Sequence, residues 1–287
     1  MGNLSIGLIY DVIRWEEKSI MKAIEAKGAK LIPVDAKSVQ IDITKREREK
    51  NFGDAAIQRC IGYFRALHMV AALENKGVLV VNPYRVISTC GNKLFVTLAL
   101  AKAGVPTPHT VLAFTPESVL KYLEEVNYQA VLKPVVGSWG RLLAPLKDRE
   151  SAEAILEDRE FMHPLYQVYY VQELIKRPPR DIRVTVIGDE VVAAIYRISA
   201  PGAWKTNLAI GGKAEECKLT SEMRELALKA AKAVGGGVLG IDMMESEDKG
   251  LLVHEVNHTV EFMGTVSITK KDVPGKIVDY VIKQAKK

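Results

Sequence analysis

The stretch that most constrains this chain lies near its C-terminal end. It is Gly240-Ile-Asp-Met-Met-Glu-Ser-Glu-Asp-Lys-Gly250, running into Leu-Leu-Val-His-Glu255-Val-Asn257-His-Thr259. It reads as two apolar strands joined by a short acidic turn. Asp242 stands where a buried residue is expected. Glu255 and Asn257, two apart, share a strand face because strand side chains alternate. Asp and Asn are poor strand formers, so inside runs as apolar as Val238-Leu-Gly-Ile and Leu251-Leu-Val they argue for a task rather than a solvated edge. Oxygen ligands converging from a hairpin suit Mg²⁺, which leaves its other positions to water and phosphate.

The chain's 287 residues are enough for roughly two domains and a sizeable core. The net charge of +5 favours an anionic substrate or an acidic partner by steering. No RNP or C₂H₂ signature accompanies that charge, so no nucleic-acid partner is expected. No apolar run approaches the roughly 20 residues that span a bilayer, and the N-terminus enters a strand without a basic leader, so neither a membrane segment nor a secretory signal is expected. Cys60, Cys90 and Cys217 are widely spaced with no C-x-x-C, which fits a reducing, cytoplasmic setting. The histidines make no zinc spacing.

Residues 3–34 read as strand (Leu4–Tyr10), helix (Glu16–Lys27) and strand (Ala29–Pro33). A third strand at Asp54–Ile57, a helix from Arg59 to Lys76 and a strand at Val78–Val81 complete a small α/β unit with a parallel sheet. Asn82-Pro83 reads as the start of a linker, and Lys93–Ala103 as a helix. Strands near His109–Phe114, Gln129–Pro134, Leu142–Leu146 and Tyr169–Leu174 then alternate with helices Pro116–Glu125 and Arg149–Arg159, an α+β pattern. From Asp181 a hairpin turns at Gly188-Asp189. A polar segment to about Ala214, a helix Glu222–Val234, the opening hairpin and a helix Pro274–Lys286 follow.

Familiar nucleotide signatures are missing. There is no P-loop, and Gly235-Gly-Gly-Val-Leu-Gly240 follows a helix and precedes a strand, the reverse of the dinucleotide-binding order. Two lysines carry more. Lys133 closes the apolar strand Ala130-Val-Leu-Lys and is followed by the glycine-rich Gly137-Ser-Trp-Gly-Arg141, whose backbone N–H groups can approach phosphate oxygens. Lys93 opens a helix just after Gly91, where a helix N-terminus favours anions. Gln172-Glu-Leu-Ile175 leaves a strand and exposes backbone groups to an adenine edge, or is an ordinary strand exit. Asp181 and Arg183 share one strand face, with Arg197 ending the partner strand and Lys205 and Asn207 beyond it. Cations clustered there would stabilise charge in phosphoryl and acyl transfer, though a salt-bridged surface sheet would read the same.

Taken in order, Cys90-Gly-Asn-Lys93, Val131-Leu-Lys-Pro with Gly137-Ser-Trp-Gly-Arg, Gln172-Glu-Leu-Ile, Asp181-Ile-Arg, Thr206-Asn-Leu with Gly211-Gly212, Gly240-Ile-Asp and Glu255-Val-Asn257 resemble the ATP-grasp superfamily in its RimK-like branch. Gly137–Arg141 and His254-Glu-Val-Asn-His-Thr-Val-Glu-Phe262 are similar to the LysX/ArgX ligase family within it. The resemblance implies an α/β and α+β chain: an N-terminal α/β pre-ATP-grasp domain (1–85), a central ATP-grasp lobe (86–170) and a C-terminal lobe with the Mg²⁺ site (171–287). It implies a ligase that phosphorylates the side-chain carboxylate of the C-terminal glutamate on a small acidic carrier protein, LysW. The α-amino group of 2-aminoadipate or glutamate then displaces phosphate. A homo-oligomer is expected.

Carried over residue by residue, ATP would meet Lys93, Lys133, Gly137, Ser138, Trp139, Gly140, Arg141, Leu142 and Leu143. It would also meet Gln172, Glu173, Leu174, Ile175, Arg180, Asp181, Ile182 and Asn207. Two Mg²⁺ ions would use Asp242, Glu255 and Asn257. The acceptor would meet Arg197, Asn207, Leu208, Glu261, Phe262, Met263, Gly264 and Thr265, with Arg197, Lys133 and Arg141 assisting the chemistry. In that family an Asn-Thr or Asn-Ser pair after Glu-Phe goes with 2-aminoadipate, and Gly-Phe with glutamate. Here Met263 is followed by Gly264-Thr265, which mixes the two and implies service to both acceptors. Two rival readings stay open: a RimK-like glutamate ligase acting on another protein or a small molecule, and a non-catalytic ATP-binding protein.

Overall fold

The computed structural model describes residues 4–45, 50–137, 140–202, 206 and 211–287. Its first sheet is parallel, in the order β2-β1-β3-β4, from β1 (Ser5–Tyr10), β2 (Lys30–Asp35), β3 (Ala55–Gln58) and β4 (Leu79–Val81). Parallel strands need crossovers, and helices on both faces bury the apolar runs. Helix α1 (Trp15–Ala26) places Ile20 and Ile24 against Ile6, Leu8, Ala55 and Ile57. On the other face α2 (Tyr63–Asn75) places Ala66, Met69, Val70 and Leu73 against Ile9, Ala56 and Val80. The expected helix from Arg59 starts four residues later, because Arg59 is drawn out of the helical path to donate to the Val260 carbonyl.

The expected linker at Asn82-Pro83 is instead the entry to a short helix, α3 (Tyr84–Cys90). Pro83 caps it and Val86 and Ile87 are fully buried, so tertiary packing decides against an exposed connection. Helix α4 (Lys93–Lys102) follows, with the Asn92 side chain capping it by accepting from the Leu94 N–H.

The second sheet is antiparallel, in the order β5-β8-β6-β7, from β5 (Thr110–Ala113), β6 (Ala130–Lys133), β7 (Ala144–Leu146) and β8 (Tyr169–Glu173). Helices α5 (Pro116–Glu125) and α6 (Arg149–Glu160) cover one face through Val119, Leu123, Ala152 and Leu156. The third sheet runs β11-β10-β9-β12-β13, from β9 (Arg180–Ile187), β10 (Glu190–Ile198), β11 (Lys213–Glu216), β12 (Val238–Ser246) and β13 (Gly250–Asn257). Strand β11 extends the sheet into a segment read as polar and irregular; its Ala214 pairs with Arg197. Helix α7 (Ser221–Val234) ends at Gly235, left-handed at φ 108°, and packs with Val96 and Leu100 of α4 on Val184, Val186 and Ile241.

Two helices follow the acidic hairpin, the first packing against β10 and β11 and the second back on the first sheet. Helix α8 (Met263–Thr269) was not expected from its β-branched residues. It forms because Phe262 is buried beneath it and Glu16 of α1 accepts the N–H groups of Phe262 and Met263, at 3.2 and 3.1 Å. Helix α9 (Val273–Ala285) lays Ile277, Val278 and Val281 beside α1 on the same face of the parallel sheet. Among the described residues no helix is long and apolar enough to cross a membrane.

Candidate active site

A single cavity of about 1400 Å³ runs between the two antiparallel sheets and reaches the edge of the parallel one. Among the described residues lining it, eight Lys and Arg outnumber six Asp and Glu, which suits an anionic occupant.

The acidic hairpin forms its floor. Register sets Asp242 opposite Glu255 and Gly240 opposite Asn257, and Asn257 Nδ2 donates to Asp242 Oδ2 at 3.3 Å. The alternation assumed from the sequence is broken one residue away. Met243 pairs with Val253, so His254 is the unpaired residue of a bulge. That extra residue changes the parity of β13: Val253 and Val256 both enter the core, while His254, Glu255 and Asn257 line the cavity. Burial, reinforced by Lys133, pulls the His254 imidazolium down to about 4, so the ring is neutral at pH 7.

Asp242 is 1% exposed and is held by two arginines. Arg183, from β9, makes a two-pronged pair with it, and Arg197 Nη2 reaches Asp242 Oδ2 at 3.0 Å. Arg197 also grips Asp181 through two bonds of 2.7 Å, and Thr206 donates to the same Asp181 carboxylate. Burial alone would raise the Asp242 carboxyl, but Arg183 and Arg197 hold it well below the usual carboxylate range. Burial likewise opposes the Arg197 charge, yet Asp242 and Asp181 lift it above its ordinary value.

The basic roof comes from the other elements. Lys93, first residue of α4, donates to the Gly137 carbonyl at 2.8 Å and pairs with Glu255 at 3.3 Å. Burial works to raise the Glu255 carboxyl; Lys93, His254 and Lys133 together bring it below its ordinary value. Lys133 Nζ donates to Gln172 Oε1 at 2.6 Å. Burial, with Lys93 and Arg177 nearby, pulls the Lys133 ammonium down to about 8. Glu173, Leu174 and Ile175 continue the wall, and Gly137, Gly140 and Leu143 border it. At the far end stand Glu261, Met263, Gly264 and Thr265.

Other expected residues either fall outside the described ones or lie away from the cavity. Ser138, Trp139, Asn207 and Leu208 fall outside the described residues. Arg141 and Leu142 are exposed and do not line the cavity; the Leu142 carbonyl instead accepts from Arg159 Nη2 at 2.7 Å. Arg180 pairs with Glu245 at 2.7 Å and stacks on Tyr196 at 4.0 Å, outside the lining. Ile182 is a core residue, because it alternates with the cavity-facing Asp181 and Arg183. Phe262 is fully buried, with Arg59 stacked 5.7 Å from its ring centre. Residues the sequence reading left out of the site include Arg14, Glu16 and Thr206. Arg14 follows the carboxyl end of β1, where an open parallel sheet places its ligands, a signal available from the sequence.

One parallel and two antiparallel sheets thus meet at one cleft with a basic majority and a carboxylate floor, an arrangement suited to a large anionic ligand. Residues 90–281 match the RimK-like ATP-grasp domain and residues 6–89 the LysX preATP-grasp domain, so the chain belongs to the RimK-like ATP-grasp ligases. Among its relatives is the alpha-aminoadipate–LysW ligase LysX of Sulfurisphaera tokodaii, 35% identical over 98% of this chain and 99% of the relative. The glutamate–LysW ligase ArgX of Sulfolobus acidocaldarius is 33% identical over 97% of this chain and 98% of the relative. The fold is also that of a RimK domain ATP-grasp protein from Sphaerobacter thermophilus, with a TM-score of 0.78 at 23% identity, covering 97% of this chain and 99% of that one.

Proposed function

We propose that this ligase joins the α-amino group of a dicarboxylic amino acid, 2-aminoadipate, glutamate or both, to the side-chain carboxylate of the C-terminal glutamate of a LysW-type carrier. The γ-phosphoryl group of ATP passes to that carboxylate, giving ADP and an acyl phosphate. The amine attacks the acyl carbon, loses a proton and expels phosphate, leaving an amide. The observation that carries this reading is that one cavity gathers three sets of groups: Lys93 and Lys133, the carboxylates Asp242 and Glu255, and Glu261, Met263, Gly264 and Thr265.

Asp242, Glu255 and Asn257 fit Mg²⁺ in donor chemistry, being two carboxylates in register and a carboxamide within reach of one of them. Two ions are the expected complement, and they would neutralise phosphate charge. Lys93, Lys133, Gly137, Gly140 and Leu143 would hold the phosphates, and Gln172–Ile175 the base. Arg183 and Arg197 orient the floor carboxylates and present positive charge to the reacting oxygens, so positioning and electrostatics carry the reaction without a covalent nucleophile.

The test is ADP release by the purified chain with ATP, Mg²⁺, a LysW-type carrier and each acceptor in turn. Release that depends on carrier and acceptor together is expected. Release at background with the carrier removes this reading. A strong preference for one acceptor in kcat/KM removes the dual service implied by Gly264-Thr265.

A further inference from the structure

The end of the cavity beyond Thr259 carries a cation that the proposed chemistry has not used. Arg14, in the loop after β1, lines the cavity together with Glu261, Met263, Gly264 and Thr265. One side of its guanidinium is fixed: Nε and Nη2 donate to the two oxygens of Glu17 at 3.1 and 2.9 Å. Glu17 is itself fully buried and accepts from Arg59 Nε at 3.0 Å, while Arg59 Nη1 donates to the Val260 carbonyl at 2.9 Å. The other side is different. Among the described residues, Arg14 Nη1 meets only the carboxylate of Glu261, at 2.9 Å, and the Glu261 side chain is 47% exposed.

An arginine whose fork is anchored on a buried partner, and whose outward nitrogen is covered by a solvated and therefore weakly held carboxylate, has the chemistry of a carboxylate receptor. Exchange of Glu261 for an incoming carboxylate keeps the charge around Arg14 unchanged. A second group points the same way: Thr265 is 1% exposed, borders this part of the cavity, and its hydroxyl has no hydrogen-bond partner among the described residues.

We infer that Arg14 receives the distal carboxylate of the acceptor amino acid, with Thr265 Oγ1 as its companion and Glu261 as the internal carboxylate that the acceptor displaces. The inference rests on the function proposed above and adds to it the basis for choosing a dicarboxylic acceptor. The N-terminal unit then reads the side chain, while the ATP-grasp sheets handle the amine and the phosphates.

The experiment compares kcat/KM for glutamate and for glutamine, whose side-chain amide removes the negative charge. Arg14→Gln is expected to lower the glutamate-to-glutamine ratio by about tenfold or more, through the acceptor KM rather than the KM for ATP. Glu261→Gln is expected to lower the glutamate KM, since the competitor is gone. An unchanged ratio in a folded Arg14→Gln protein overturns the inference, as does a raised glutamate KM in Glu261→Gln. The second variant decides alone if the first fails to fold. If the unaltered chain releases no ADP in response to acceptor, the functional reading falls, and calorimetry with glutarate decides this one. Binding by the unaltered chain that strengthens in Glu261→Gln sustains it; no binding overturns it.

Discussion

Asn82 and Val238 are joined through both backbone groups of the valine. The Asn82 carboxamide oxygen accepts the Val238 N–H and its nitrogen donates to the Val238 carbonyl, each at 2.7 Å. The same nitrogen donates to the His258 carbonyl at 2.7 Å. One buried side chain at the end of β4 thus completes the start of β12 and steadies the end of β13. Asn82→Ala leaves those groups without partners, and a loss of about 3 kcal/mol is expected from urea denaturation. A loss within about 0.5 kcal/mol, the range of ordinary surface changes, would contradict this role.

Lys133 sets a pH dependence with a definite sign. Its ammonium is displaced from the ordinary lysine value of 10.5 down to about 8 in the fold, by burial. Below about 8 it is charged in both folded and unfolded chains and the full cost of burying that charge is present. As pH rises from about 8 towards 10.5 the folded chain sheds the proton first, so this contribution to stability increases, by on the order of 3 kcal/mol. Nucleotide binding should run the other way. ATP affinity in the ligand-free protein weakens as pH rises through about 8, and Lys133→Met flattens both profiles.

Asp242→Asn separates the floor's charge from its shape. Arg183 and Arg197 would each lose a buried counter-ion, for which about 3–5 kcal/mol of destabilisation is expected. Carrier-dependent ADP release should fall by at least about a hundredfold in protein that remains folded. Turnover near that of the unaltered chain would show that neither the metal nor the phosphates depend on this carboxylate.

Gly91 is required by packing. Its φ is −75°, which any residue adopts, but a Cβ there would lie 1.8 Å from a ring carbon of Tyr63. Gly91→Ala should therefore cost about 1–3 kcal/mol and disturb the neighbouring Lys93. Tyr63→Ala in the same protein removes the clash and should restore most of the melting temperature lost. Additive losses in the double variant would refute the contact.

Much of the architecture was legible because periodicity and breakers agree: Pro116–Glu125 reads as a helix, and a helix of those bounds forms. The cavity-floor residues were legible because Asp242, Glu255 and Asn257 violate the apolar pattern around them. The bulge at His254 was not, since an extra residue leaves no mark in an alternation read from one strand alone. Helices α3 and α8 escaped for a related reason. Val86, Ile87 and Phe262 are held by distant partners, and local propensity carries no trace of Glu16. Arg183 was noticed only as one of the cations near Asp181; its two-pronged grip on Asp242, 59 positions on in the chain and adjacent in space, leaves no mark in the sequence.

The placement of α9 bears on how the protein is made. The strands of the first sheet have all left the ribosome once Val81 emerges, yet one apolar face of that sheet is covered jointly by α1 and by a helix beginning at Val273. Until the last of that helix is synthesised, Ile6, Leu8 and Ile57 lack part of their cover, and the nascent chain carries a face prone to association. The unit translated first is therefore the one finished last, and a chain cut short before Val273 would present that face permanently to the cell's chaperones and proteases.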